Sequence, residues 1–398
     1  MRSPHRSHHD VVVIGSRCAG AATAMLLARA GHDVVVVDRS RFPSDALSTH
    51  GLVRGGVVQL TRWGLLEDVL ASGAPAVREV TFGRDDTQVT RRIKEGAGVD
   101  LLVAPRRHVL DALLVDAAQA AGAQVRTGVT ATGLRRDGAD RVVGLEARSA
   151  DGQPIELTAP YVIGADGLRS RTAGWVGARV LDGFTPDTAT FYMYVAAPAW
   201  PAYEFHVARD AFAGVFPTHG GEACVWLCRP TAALGSLRAA GGDRAAALVA
   251  ELDAVSPALA ARVRAGRITS AVRGAARLPS YVRQPVGPGW ALVGDAGYHR
   301  DPITGHGITD AFRDAELLAT AVDRSLRDPA DELEAMTTYN DRRDAALRET
   351  FDLTNALTSF PPPDQFVELQ MKLAEALERE AELLASFPAP AGQAAAAA

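Results

Sequence analysis

The stretch "DVVVIGSRCAGAATAMLLARAGHDVVVVD", Asp10 to Asp38, decides the fold. Val11 to Ile14 reads as a strand buried on both faces, and Ala19 to Ala30 as a helix of small apolar residues. Val34 to Val37 is a second buried strand, ending in Asp38. A strand–helix–strand unit of this size binds a dinucleotide. Gly15 allows the tight turn and Gly20 lets helix and sheet approach closely. The helix N-terminus offers free N–H groups to a pyrophosphate, and Asp38 stands where an acid accepts a ribose diol. Arg17 occupies the middle position of GxGxxG, with its side chain either turned aside or touching phosphate. Cys18 reads as a packed thiol.

Two further stretches repeat the theme. "YVIGADGLRSRT", Tyr161 to Thr172, ends a strand in Asp166-Gly167. "GWALVGDAGYHRDPITGHGITDAF", Gly289 to Phe312, ends one in Gly294-Asp295 and starts a helical pattern near Gly305. Three strand ends carrying glycine and acid imply one long ligand across one sheet edge, and FAD fits that length better than NAD.

These residues resemble the FAD-dependent monooxygenase family similar to para-hydroxybenzoate hydroxylase, related to geranylgeranyl-reductase-like proteins and flavin halogenases. The resemblance spans roughly residues 10 to 350. It implies an α/β fold: a Rossmann-like FAD-binding domain, an inserted antiparallel β-sheet substrate domain and a C-terminal helix. It implies FAD contacts at Gly15, Gly20, Asp38 and Arg39, at Arg107 in "PRRHVLDALL", and through the backbone of Val129; Arg17, and Tyr298 where the family commonly has histidine, depart from its pattern. Asp166, Gly167, Gly294 and Asp295 follow from its Asp-Gly and Gly-Asp motifs. Pro302, Gly305, His306 and Gly307 hold the flavin, with Asp295 toward the ribityl chain and the helix start toward the pyrimidine oxygen. Thr49 and His50, in "LSTHGL", fall where the family's loop nears the flavin; His50 is either a contact or a plain loop residue.

The FAD domain is expected to be discontinuous, from 1–75, 104–178 and 280–355. Residues 76–103 and 179–279 alternate in strand fashion, are aromatic-rich, and read as a substrate-binding sheet. Its candidate pocket residues are Tyr192, Tyr194, Phe205, Phe216 and Trp226, with Thr49 and His50; some of the rings serve packing alone. Period two puts Tyr192 and Tyr194 on one face. An amphipathic helix is expected over 364–388. The polar start "MRSPHRSHH" reads as a frayed end, without a signal-peptide core.

The composition supports two domains: 398 residues, 47% apolar. The net charge of −5 gives no electrostatic case for nucleic acid. Cys18, Cys224 and Cys228 form no CxxC, so a reducing, cytoplasmic setting is expected. No apolar run reaches membrane-spanning length, and a monomer or homodimer is expected.

The leading expectation is a monooxygenase that uses NADH or NADPH and dioxygen, through a flavin hydroperoxide, on a small apolar or aromatic compound. The reductant leaves no second dinucleotide motif. A flavin-dependent reductase of an isoprenoid-like olefin is the alternative. A flavin halogenase fits less well, because it needs an active-site lysine. Lys94 lies in a charged strand or turn, Lys372 in the C-terminal helix, and the family's tryptophan-x-tryptophan-x-isoleucine-proline signature is missing. A non-catalytic flavoprotein is the remaining class. No metal-ligand spacing and no Ser/His/Asp arrangement appears, so no side chain is expected to be a nucleophile and the flavin carries the chemistry.

Overall fold

A computed structural model describes residues 5–84, 87–197, 199–235 and 243–389. The valine runs form the centre of a six-stranded sheet. Its spatial order is Val286–Gly287, Trp290–Leu292, Tyr161–Gly164, Val11–Ile14, Val34–Asp38 and Gln124–Thr127. All neighbours are parallel except the first pair. Both faces are covered, which is why these strands are continuous apolar runs. Val11 and Val13 pack against helices Cys18–Arg29 and Gly307–Arg327. Val12, Ile14, Val35 and Val37 pack on a second, four-stranded sheet carrying Val129, Leu145 and Leu157.

The amino-terminal end is a correction. His5–His8 forms a strand of that four-stranded sheet, parallel to Pro154–Thr158, rather than a frayed end. The polar sequence conceals this, because an edge strand is held by backbone bonds that need no apolar residues.

Thr188–Ala196, Tyr203–Ala208, Ala211–Pro217 and Glu222–Pro230 form the middle of an eight-stranded sheet. Glu79–Arg84 joins it in parallel beside Tyr203–Ala208, and Thr87–Arg92 follows antiparallel. Alternation divides its side chains. Met193, Val195, Val215, Val225 and Leu227 meet helices Arg244–Asp253 and Pro257–Ala265. Tyr192, Tyr194, Phe212, Phe216, Cys224 and Trp226 occupy the opposite face. From sequence, an alanine-rich helical stretch is expected over Leu237 to Arg264; its start lies outside the described residues, and helices Arg244–Asp253 and Pro257–Ala265 occupy the rest. Val180–Phe184, expected in this sheet, instead pairs with Ser280–Arg283 and belongs to a three-stranded sheet with Tyr298–His299. Its partner lies about a hundred residues away in sequence, so local alternation could not assign it.

The C-terminal helix, Pro363–Ala385, is tied into the molecule by Phe366, Leu373, Ala376, Ala381 and Leu384, all buried. Among the described residues no helix is long and apolar enough to cross a membrane.

Candidate functional site

The parallel strands Val11–Ile14, Tyr161–Gly164 and Trp290–Leu292 are neighbours, so their three following loops meet at one sheet edge. Gly15 has φ +101°, and a Cβ there would lie 2.4 Å from the Ala165 carbonyl. A Cβ on Gly20 would lie 1.8 Å from the Gly15 carbonyl. Each glycine is therefore fixed by a close backbone approach. Tyr281 ties the other two loops, donating to the carbonyls of Leu168 at 3.1 Å and Asp295 at 2.6 Å.

The acids at the strand ends do different work. Asp38 is buried and accepts from the Ser16 N–H at 2.8 Å, the Ser16 hydroxyl at 3.0 Å and the Ser40 N–H at 2.7 Å. Much of its acceptor capacity thus shapes the first loop; Arg39 beside it is exposed. Asp166 accepts from the Ser170 hydroxyl and from the backbone of Arg171 and Thr172, holding the short helix Arg171–Trp175 behind Gly167. Val129 is buried against the nucleotide sheet.

Asp295 is unlike both. It is half-buried, and among the described residues its carboxylate has no hydrogen-bond donor. Burial pushes its pKa above the usual carboxylate range, and Asp310 adds to this, against His299 and Arg107, which pull it down. A carboxylate held in this way is suited to accept hydroxyls from a ligand.

Arg17 turns its side chain aside. It lies over the Phe42 ring, 5.6 Å from the centroid, and donates to Asp111 at 2.7 Å. Arg107 donates to both oxygens of the same carboxylate, at 2.9 and 3.1 Å. The Cys18 thiol also reaches it, at 3.2 Å. Burial pushes that thiol well up, so it is held neutral. Asp111 is 0% exposed and was not expected in the site. Its only sequence signal is its place one helical turn after Arg107. Asp111→Ala would leave two arginines without their shared counter-ion. The expected cost is about 3–5 kcal/mol, read from the denaturation midpoint of the apoprotein.

The start of helix Gly307–Arg327 completes the edge. A Cβ added to Gly305 or Gly307 would meet nothing within 4 Å, and Gly307 is exposed although its neighbours His306 and Ile308 are buried. The first N–H groups of a 21-residue helix thus open onto free space beside Asp295 and Pro302. This open backbone, the unengaged Asp295 and the three-loop edge fit an FAD. His306, expected as a cofactor contact, points its ring the other way, to Glu380 of the C-terminal helix.

The pocket needs a larger correction. A cavity of about 310 Å³ lies between the eight-stranded sheet, the Pro302–Gly305 turn and the C-terminal helix. Thr49, Phe205, Phe216 and Trp226 line it, together with Phe212, Ile303, Leu373 and Leu377. Tyr192, Tyr194 and His50 do not. The Tyr192 hydroxyl accepts from the Ser48 N–H at 3.3 Å, and His50 Nε2 meets the Tyr194 hydroxyl at 2.8 Å. Arg106 lies 3.6 Å above the Tyr194 ring. Burial, then Arg106 and Arg107, push the pKa of His50 down to about 3, so its ring is neutral. The two tyrosines share a face, as period two requires, but that end of the face packs on the Thr49 loop. Five pocket residues, Gln370 to Glu378, come from the C-terminal helix, whose amphipathic pattern gave no sign that it bounds the site.

The chain is 28% identical over 326 residues to a digeranylgeranylglycerophospholipid reductase of Methanosarcina mazei, covering 79% of this chain and 75% of that one. It is 29% identical over 328 residues to the menaquinone reductase of Mycolicibacterium smegmatis, covering 78% and 75%. Its fold is similar to that of the flavin-dependent brominase Bmp2, with a TM-score of 0.79 at 20% identity over 97% of each chain. A family model described as an FAD binding domain matches residues 8–354, so the chain belongs to that family and is an FAD-dependent oxidoreductase.

Proposed function

We propose that the protein is a flavin-dependent reductase of an olefinic, isoprenoid-like compound, the alternative of the two main expectations. The observation that carries the reading is the cavity. Its walls are aliphatic and aromatic, it ends at Gly305 beside the open helix start, and its charged residues are Arg54, Arg91, Arg92 and Glu378. Arg54 is held by Glu378 at 2.7 Å and by the carbonyls of Lys94, Gly96 and Val99. Such a site takes up a hydrocarbon by burying it, and excludes water. The reductases among the relatives support the same substrate class.

When bound, FAD reduced by NADH or NADPH would supply two electrons and one proton to one carbon of the double bond, and a second proton from solvent would complete the other carbon. The chain's own residues bind and orient. Phe205, Phe212, Phe216 and Trp226 grip the hydrocarbon, and Asp295 with the Gly305–Gly307 backbone fixes the cofactor. Neither Lys94 nor Lys372 lines the cavity, which speaks against halogenation.

A second reading, oxygenation of a flat aromatic compound, draws on the ring wall itself. Phe212 packs edge to face on Trp226 at 5.0 Å and Phe216 tilts against it at 5.5 Å, giving a wall of rings for a flat aromatic ligand to lie against. One experiment separates the two. Under exclusion of dioxygen, the reduced enzyme should convert a prenyl olefin to its saturated product. Product that forms only in air and carries one atom from labelled dioxygen would overturn the reductase reading. Ala374→Trp, on the cavity side of the C-terminal helix, should raise KM at least tenfold and leave FAD affinity unchanged.

A further inference from the structure

The C-terminal helix reaches the cofactor site by a second route. Glu380 is buried, and its carboxylate meets His306 Nε2 at 2.9 Å and accepts from Arg313 at 2.6 Å. His306 stands between Gly305 and Gly307, the two residues that open toward the cofactor space. The charged groups facing it can be named element by element. Arg300 comes from the preceding loop, Asp310 and Arg313 from its own helix, and Glu380 from the C-terminal helix. Asp314 completes the cluster by pairing with Arg313 at 2.8 Å. Three carboxylates here meet Arg300 and Arg313, all nearly excluded from water, and the buried Arg343 also acts on Asp314. A buried carboxylate is costly without a charged partner, and His306, 2.9 Å from the Glu380 carboxylate, can supply one beside Arg313. Arg313 lies between Asp310 and Glu380, so these acids with His306 form an ion-pair cluster and not an open metal cage.

We propose that Glu380 is a positioning residue that keeps His306 an imidazolium at the N-terminus of helix Gly307–Arg327, and that this charge favours the reduced, anionic form of the bound flavin. The helix start alone favours negative charge there. An imidazolium within one residue of both open glycines adds a full charge to that partial one. Glu380 does not line the cavity and reaches the helix start through its contact with His306. The inference rests on FAD binding and does not depend on whether the substrate is reduced or oxygenated.

The sign of the effect makes the test. If Glu380 acted merely as a nearby negative charge, Glu380→Gln would raise the flavin midpoint potential. If it holds His306 charged, the same change lowers the potential. The expected result is a fall of at least tenfold in the reduced-to-oxidised ratio, about 30 mV for two electrons. His306→Gln should give a similar fall, and adding Glu380→Gln to it should give no further one. In apoprotein with nitrogen-15 histidine, His306 should be an imidazolium at pH 7, and neutral in Glu380→Gln. An unchanged or raised potential in Glu380→Gln, or a neutral His306 in the unaltered apoprotein, would overturn the proposal. Should Glu380→Gln fail to fold, His306→Gln and the apoprotein spectrum still decide it.

Discussion

Apoprotein carrying Asp295→Ala is expected to bind FAD between about tenfold and ten-thousandfold more weakly. The range follows from one or two charge-assisted hydrogen bonds at about 1.5–3 kcal/mol each. Its basis is a half-buried carboxylate without a protein donor at the end of Trp290–Leu292. The same feature predicts an opposite effect on the empty protein. Burial raises the pKa of Asp295, so the folded apoprotein favours the protonated form more than the unfolded chain does. That contribution to stability is full below the unfolded-state pKa and is lost as pH rises through the folded-state value. At neutral pH the apoprotein therefore holds a destabilised carboxylate. Asp295→Asn should raise its melting temperature while weakening FAD. Unchanged FAD affinity in a titration of Asp295→Ala would remove the residue from the cofactor site. A melting temperature lower in Asp295→Asn would refute the cost assigned to its ionised form.

The second large effect is expected at Gly307. From sequence, Gly305→Val is the natural probe of the open helix start, expected to depress turnover far more than folding stability. The structure moves the probe by two residues. Gly305 has φ +64°, where a β-branched residue adds about 1–3 kcal/mol of strain, so folding and cofactor effects would be mixed. Gly307 is the first residue of the helix, outside the left-handed region, and a Cβ there meets nothing. Gly307→Val should cost less than about 1 kcal/mol of apoprotein stability. It places a branched side chain in the space the cofactor needs, so turnover should fall at least a hundredfold. Turnover within a few-fold of the unaltered enzyme would place the cofactor away from this helix.

The sequence by itself determined the nucleotide-binding half. Val11–Ile14 and Val34–Val37 are continuous valine or isoleucine runs because both faces of that sheet are covered, and burial of this kind is written locally. Gly15 and Gly20 were legible because a missing side chain is itself the signal of a close approach, whereas Gly305 and Gly307 border open space. The alternation of Thr188–Ala196 likewise fixed which residues share a face.

Tertiary structure decided what each face meets. Tyr192 and Tyr194 share the pocket-side face with Trp226, yet only Trp226 reaches the cavity, since the Thr49–His50 loop closes over the tyrosines. Asp111 became the shared partner of Arg17 and Arg107 only when two helices distant in sequence packed together. Glu380 met His306, and Phe366 met Phe212, for the same reason. Periodicity records whether a side chain is buried; the chain's return across many residues sets what it is buried against, and no local pattern carries that information.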